Sequence, residues 1–398
     1  MRRILFFLLI LAWVCGPAAA QSPEKSSVAL LSFGIAPGAT SVTVQEILHQ
    51  LHLDRFLNAA ELEALGSQKE LDGENIQIAL LEAGWQYDRL GIMVDAALDR
   101  GVDVMVAFTT PVAQAAIQST LDLDDPPPVI FASVFYPFAA GLAEAPCLKP
   151  SHVTGSQIVP PYELLVDLAL TQQPDLARLG IVFSADQVSG VEGARRVAAI
   201  AEARGLTALQ AAVTQPVDFI AAVDGLASRG AEALILSIDS ITSRGLPAVV
   251  ATASENLMPV YYPSLGGVLS DAMISAGYYL QDAQGINTGR KLVAWLRGEL
   301  DIASTAIDAL SGDGVGVNLI VADSLDLEIA SEILERVDVV VSEAGEGVSK
   351  RVKEAVAEVS AIEAGPEREA AARAYLDSLH CTAEMIAEQQ AQLDADGE

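Results

Sequence analysis

One feature constrains this chain more than any other: short apolar runs alternate with longer segments whose apolar residues recur at helical spacing. The runs are 28–33, 76–80, 102–108, 129–134, 179–183, 207–213, 233–238 and 259–262. The helical segments are 42–65, 85–100, 111–121, 161–172, 189–204, 217–229 and 245–257. Strands that are apolar along their whole length are covered on both faces, and strands joined through helices run parallel. Gly101, Gly205 and Gly230 each follow a helical segment ending in Arg, the pattern of a helix stop. The fold class that follows is α/β with doubly covered parallel sheets.

The alternation occurs twice. The first set ends near Pro150, after Pro126-Pro127-Pro128 and Pro146 have interrupted the chain. The second runs from 153 to 262. Two lobes of similar, Rossmann-like build follow. Lobe I spans 28–152 and is completed by about 268–308; lobe II spans 153–267 and is completed by about 309–340. Residues 276–297 read as one helix and 315–321 as a further apolar segment. From 348 onward Ala, Glu, Arg and Gln dominate, giving an acidic helical extension over 348–398. Gly365-Pro366 divides it into two helices. The second, 367–393, carries apolar residues at Ala371, Tyr375, Leu379, Met385 and Ile386. It reads first as a solvated tail outside both lobes and dispensable for ligand binding. It could also pack on the lobes or self-associate with a copy of itself.

The first twenty residues differ in kind. Arg2 and Arg3 precede an unbroken apolar run, ILFFLLILAWV, and Ala18-Ala19-Ala20 follows. That order reads as a secretory signal peptide cleaved after Ala20. The run is shorter than the roughly 20 residues of a membrane span. Cleavage discards Cys15 and leaves Cys147 and Cys381, either as two unpaired thiols or as a disulfide permitted by an oxidising compartment. Asp and Glu number 53 against 23 Lys and Arg, for a net charge of −30, which argues against nucleic acid and anionic membrane surfaces as partners.

Enzyme constellations are thin. His49 and His52, with Glu46 before them, could share a helix face, but nothing completes a metal set. Gly345-Glu346-Gly347 lacks the third glycine of a dinucleotide turn and reads as a helix start. The sequence points to no enzyme and no cofactor. The informative residues stand at strand ends. Thr109-Thr110-Pro111 follows one apolar run and opens a helix, with Gln114 one turn on. Tyr136 lies in an aromatic cluster after another run, and Asp239-Ser240 and Ser184, with Ser189 beyond it, follow two more. Ligands of open α/β sheets sit outside the carboxyl ends of the strands, and two lobes facing each other that way make a cleft.

Several stretches carry a resemblance: 71–78 (LDGENIQI), 101–116 (GVDVMVAFTTPVAQAA), 128–142 (PVIFASVFYPFAAGL), Val153-Thr154-Gly155, 179–189, 233–240 (ALILSIDS), 289–298 (GRKLVAWLRG) and Val317-Asn318-Leu319. In order and spacing they resemble the ABC transporter substrate-binding proteins of the tryptophan/tyrosine type, over about 28–334. The resemblance implies a type I periplasmic binding protein fold: two lobes, three crossovers, and a small-molecule ligand captured between them. It implies delivery to an ABC permease in the membrane, a periplasmic location and no chemistry. By position it places Thr109, Thr110, Gln114 and Tyr136 on the first-lobe side of the cleft, and Ser184, Ser189, Asp239 and Ser240 on the second. The family usually carries Asp-Pro where this chain has Tyr136-Pro137. That exchange removes an acid that could meet a ligand ammonium and gives Tyr136 the task of setting ligand class. An exported sensing domain of the same fold, signalling to a membrane partner, is the alternative.

Overall fold

The structure is a computed structural model and describes residues 25–34, 39–278 and 283–396. The leader expected over 1–20 lies outside the described residues. No described helix is long and apolar enough to cross a membrane.

Two sheets form. The first contains β1 (Ser26–Ser32), β2 (Glu70–Asp72), β3 (Ile76–Glu82), β4 (Val104–Phe108), β5 (Val129–Phe135), β6 (Val153–Ile158) and β12 (Asp308–Leu310), in the order β12-β6-β5-β4-β1-β3-β2. The second contains β7 (Arg178–Ser184), β8 (Thr207–Val213), β9 (Ala233–Leu236), β10 (Val260–Tyr262), β11 (Ile274–Gly277), β13 (Gly314–Asn318), β14 (Val339–Ser342) and β15 (Gly345–Val348), in the order β15-β14-β13-β11-β10-β9-β7-β8. Pairing is parallel except at β2–β3, β11–β13 and β14–β15.

Helices α1 (Ala39–Leu53), α2 (Ala59–Leu65), α3 (Leu90–Leu98) and α4 (Thr110–Thr120) belong to the first lobe. The second holds α5 (Tyr162–Gln172), α6 (Val188–Ala203), α7 (Phe219–Ser228) and α8 (Ser240–Glu255). The chain then returns, and α9 (Ala283–Leu296) packs its Leu292 and Val293 into the first lobe's core beside Ile47 and Leu51. The short α10 (Leu319–Ser324) and α11 (Ser331–Leu334) cover the second lobe. Between β1 and β15 the path changes lobe three times: after Ile158, after Gly277 and after Leu310. Both cores are continuous layers of fully buried Val, Ile, Leu and Ala, as whole-length apolar strands require. Gly205 and Gly230 stop α6 and α7 with φ of 84° and 82°, a backbone region that other residues enter only with strain.

Several expectations are corrected. The segment read as one helix from 276 begins as strand β11, and α9 starts only at Ala283. Residues 268–277 therefore join the second lobe's sheet through β11, not the first lobe. The 42–65 segment is two helices, with Asn58 opening the second by a capping box to Glu61. Gly345-Glu346-Gly347 forms β15, paired antiparallel to β14, so it is neither a nucleotide turn nor a helix start.

The largest correction concerns the extension. It is helical, as expected, but it comprises α12 (Lys350–Ala364), α13 (Arg368–Ser378) and α14 (Ala383–Asp396), and it is strapped to the first lobe. Cys381, between α13 and α14, is disulfide-bonded to Cys147. Its N–H donates to the Ser304 carbonyl at 2.8 Å, and the Ala306 N–H donates to the Leu379 carbonyl at 2.7 Å. Arg368 grips Asp54 with two bonds of 2.6 and 3.0 Å. Glu363 pairs with Arg290 and accepts from Gln50 Nε2 at 2.7 Å. The Tyr375 hydroxyl donates to Asp308 Oδ2 at 3.0 Å. Asp308 in turn pairs with Lys291, a fully buried ammonium that also donates to the Gly155 carbonyl and the Ser156 hydroxyl, each at 2.9 Å. A charge-rich segment looks solvated in sequence; here its charges meet partners from distant parts of the chain.

Candidate functional site: the cleft between the lobes

The carboxyl ends of both sheets face each other across a cavity of about 340 Å³. That volume lies near the small end of the roughly 300–1,000 Å³ range of small-molecule sites. Its first-lobe wall is Trp85, Thr109, Thr110, Ser133, Phe135 and Ile158. Its second-lobe wall includes Gln187, Ser189, Asp239, Ser240, Ser243, Arg244 and Tyr262.

Backbone strain marks the first-lobe wall. Trp85, Thr109 and Ser133 have φ of 64°, 79° and 55°. Each such residue costs about 1–3 kcal/mol, and such costs cluster at sites where geometry matters more than stability. Ser133 stands where the β5–β6 register shifts between Phe131 and Val134, an irregularity that turns its side chain toward α9. There the Ser133 hydroxyl donates to Gln284 Oε1 at 2.9 Å. Thr110 ties the strand end to the helix start: its hydroxyl donates to the Phe135 carbonyl and accepts from the Phe135 N–H, both at 3.3 Å. Thr109 precedes α4 but makes no side-chain cap, and its buried hydroxyl has no hydrogen-bond partner among the described residues.

On the second lobe, Asp239 caps α8. Its Oδ1 accepts from the Ile241 and Thr242 N–H groups at 2.7 and 2.8 Å, and its Oδ2 accepts from the Ser184 N–H at 3.3 Å. Gly190 lets α6 start this close: a Cβ there would lie 2.4 Å from the Ser184 carbonyl oxygen and 2.7 Å from Asp239 Oδ2. Asp239 is thus in the wall, but its carboxylate is spent on the fold.

Burial pushes the Asp239 carboxyl up to about 6, against the pull of its backbone donors. A folded-state value above the unfolded one of about 3.9 means that folding takes up a proton between the two. This contribution is fully present below about pH 4 and is lost as pH rises through about 6. Asp239→Asn keeps an acceptor for the helix but cannot titrate. Urea unfolding at pH 4.5 and pH 7 should therefore show the wild type gaining about 2 kcal/mol on the variant at the lower pH. A stability gap that does not move with pH would refute the assignment.

The structure distributes the eight expected site residues unevenly. Thr109, Thr110, Ser189, Asp239 and Ser240 line the cavity. Gln114 does not: it faces a neighbouring groove and donates to the Ala140 carbonyl at 2.9 Å. Ser184 is fully buried behind Asp239. Tyr136 is buried in the second lobe's apolar core with Tyr162, under the Arg196 guanidinium, which sits 4.6 Å from its ring centre. Trp85, Gln187, Arg244 and Tyr262 were not among the candidates. Tyr262 ends a strand whose terminus was legible, and its hydroxyl lies 2.9 Å from the Ser243 hydroxyl. Arg244 stacks across the cleft on Trp85, its guanidinium 4.6 Å from the ring centre. Nothing local in the sequence distinguishes it. No group of three metal-ligating side chains occurs among the described residues, and His52 holds the Leu57 carbonyl at 2.9 Å.

The profile of a family described as "ABC transporter substrate binding protein" matches residues 61–341. A curated relative, the tyrosine-binding protein of Clostridioides difficile strain R20291, is 21% identical over 299 residues, covering 75% of this chain and 81% of that protein. Among solved structures, the ABC domain from Streptococcus pneumonia in complex with L-Trp has a TM-score of 0.71 at 22% identity, over 80% of this chain and 100% of that one. A ligand-free, open substrate-binding protein with adhesive properties from Clostridium difficile has a TM-score of 0.55 at 22% identity, over 78% of this chain and 98% of the other. At these identities the structures speak to the fold: two α/β lobes of the type I periplasmic binding protein kind.

Proposed function

This chain belongs to the ABC transporter substrate-binding protein family, and we propose that it captures a small organic solute in the interlobe cleft and delivers it to a membrane permease. It is a binding protein and not an enzyme, as the family is. The observation that carries the reading is the cleft: strained, hydroxyl-bearing strand ends from one lobe face helix starts from the other across a cavity of solute size. Thr109 and Thr110 from the first lobe and Ser189 and Ser240 from the second are the proposed contacts. The names of the relatives support a solute with an aromatic body of about the size of an amino acid. The walls offered by Trp85, Phe135 and Tyr262 suit that body. The proposal includes export, with cleavage after Ala20 and work in the periplasm, because residues 1–20 have the order of a secretory leader.

A thermal-shift screen of the mature chain against small polar and aromatic solutes tests capture. At least one solute should raise the melting temperature in a concentration-dependent way. Ser189→Trp, which fills the cleft, should abolish the shift. A library without a single stabilising member, or a shift that survives Ser189→Trp, would defeat the proposal.

A further inference from the structure

The chain crosses between the lobes a fourth time, and this crossing is a helix. β15 ends at Val348 in the second lobe's sheet, and α12 leaves from there. Its far end meets the first lobe, where Glu363 pairs with Arg290 on α9 and accepts from Gln50 on α1. Its 15 residues cover about 22 Å at a rise of about 1.5 Å each. Between its ends α12 stands in solvent: from Lys353 to Glu358 every residue is exposed except the half-buried Ala355.

Both ends are fastened. At the second lobe, the Ser349 hydroxyl accepts from the Val352 N–H at 3.3 Å and donates to Asp338 Oδ1 at 3.0 Å. Arg351 holds the same carboxylate with two bonds, one of them from Nε at 3.0 Å. Asp338 is 3% exposed and also accepts from the Val315 N–H at 3.1 Å, in β13 just past the third crossing. Arg351 reaches Asp313, inside that crossing, at 3.5 Å. The third crossing lies against the second: a Cβ on Gly312 would come within 2.2 Å of Tyr278 Cα. At the first lobe the fastening continues past Glu363, through Arg368 on Asp54, to the disulfide of Cys147 with Cys381.

Lobes joined only by short crossings can swing about them. A helix fastened on both sides of such a hinge makes the swing costly. Either the helix breaks its own ladder of backbone bonds, or one end lets go and leaves the buried Asp338 or Glu363 without its cation. We propose that the extension is a hinge brace: α12 holds the lobes at their present separation and limits how far the cleft opens. Control of solute access by the brace rests on the capture reading above; the restraint on the lobes does not.

Double electron–electron resonance on the ligand-free mature chain tests the brace. Nitroxide labels at Ile92→Cys and Val191→Cys occupy exposed positions of α3 and α6, whose Leu90 and Val188 flank one groove between the lobes. The braced protein should give one narrow distance distribution. Changing Ala355, Val356, Ala357 and Glu358 to Gly unwinds the exposed middle of α12 and touches neither fastening. Four residues released from a rise of about 1.5 Å to an extended reach of about 3.3 Å supply about 7 Å of slack. The lobes already touch through Arg244 on Trp85, so the slack is taken up by opening. The distribution should broaden and extend to distances longer by about 5 Å. Arg351→Gln, which frees only the second-lobe end, should broaden it in the same direction while urea unfolding stays cooperative. Distributions that match the parent in both variants would overturn the brace, and so would a parent distribution already as broad as theirs. The labels read lobe motion without solute, so a blank solute screen bears on the capture reading alone.

Discussion

A chain that stops before Ser349 should be less stable than the full mature protein by at least about 5 kcal/mol. The disulfide from Cys147 to Cys381 closes a loop with a sequence separation of 234. Opening a loop of that size frees denatured-chain entropy worth roughly 3–5 kcal/mol. Truncation also strips buried charges of partners. Asp54, with 4% of its side chain exposed, keeps Arg297 but loses Arg368. Asp308 loses the Tyr375 hydroxyl beside the buried Lys291, and Arg290 and Gln50 lose Glu363. Stranding one member of a buried pair costs about 3–5 kcal/mol. Urea unfolding of the truncated and full chains, with Cys147→Ser as a separate sample to isolate the disulfide, measures the loss. Equal midpoints for all three would show that the extension is ornamental after all.

Tyr136→Ala should destabilise the ligand-free protein by about 3–5 kcal/mol, the usual cost of emptying a buried aromatic site. Tyr136 directly follows a first-lobe strand, yet its ring packs in the second lobe's core at 7% exposure, so it pins the lobes together where they meet. Its φ of 53° turns it there. Tyr136→Phe keeps the ring and removes only the hydroxyl, which meets the Tyr162 phenol, so it should cost far less, about 1 kcal/mol. Differential scanning calorimetry of the two ligand-free variants decides the matter. An unchanged melting temperature for Tyr136→Ala would return the residue to the ligand-setting role that its sequence position suggests.

The contrast between Tyr136 and Thr109 shows what the sequence could carry. Both follow long apolar runs, so both are legible as strand-end residues, and the end of a parallel strand is where an α/β cleft forms. Thr109 opens a helix directly after β4 and lands on the wall. Between Phe131 and Tyr136, however, the β5 register slips, and a slip of one residue exchanges the two faces of a strand. No local pattern announces that slip. Asp239 was legible as a polar strand end, but its role as a cap depends on how near Gly190 lets α6 approach. The extension misled for a third reason. Acidic and basic residues at helical spacing look alike whether water or a distant partner satisfies them, and Arg368 finds Asp54 at a separation of 314 residues. Short strands escaped as well: β2, β12 and β15 carry Glu70, Asp308 and Gly345 at sheet edges, where no apolar run is needed.

The central claim is that solute is held between the lobes at Thr109, Thr110, Ser189 and Ser240. A crystal structure of the mature protein with a solute that raises its melting temperature tests this most directly. The account predicts density for that solute in the interlobe cavity, within hydrogen-bond distance of Ser189 or Ser240 and in contact with Trp85. Density instead in the apolar groove of the first lobe lined by Val44, Leu48, Leu62 and Leu80, with the cleft holding only water, would contradict it.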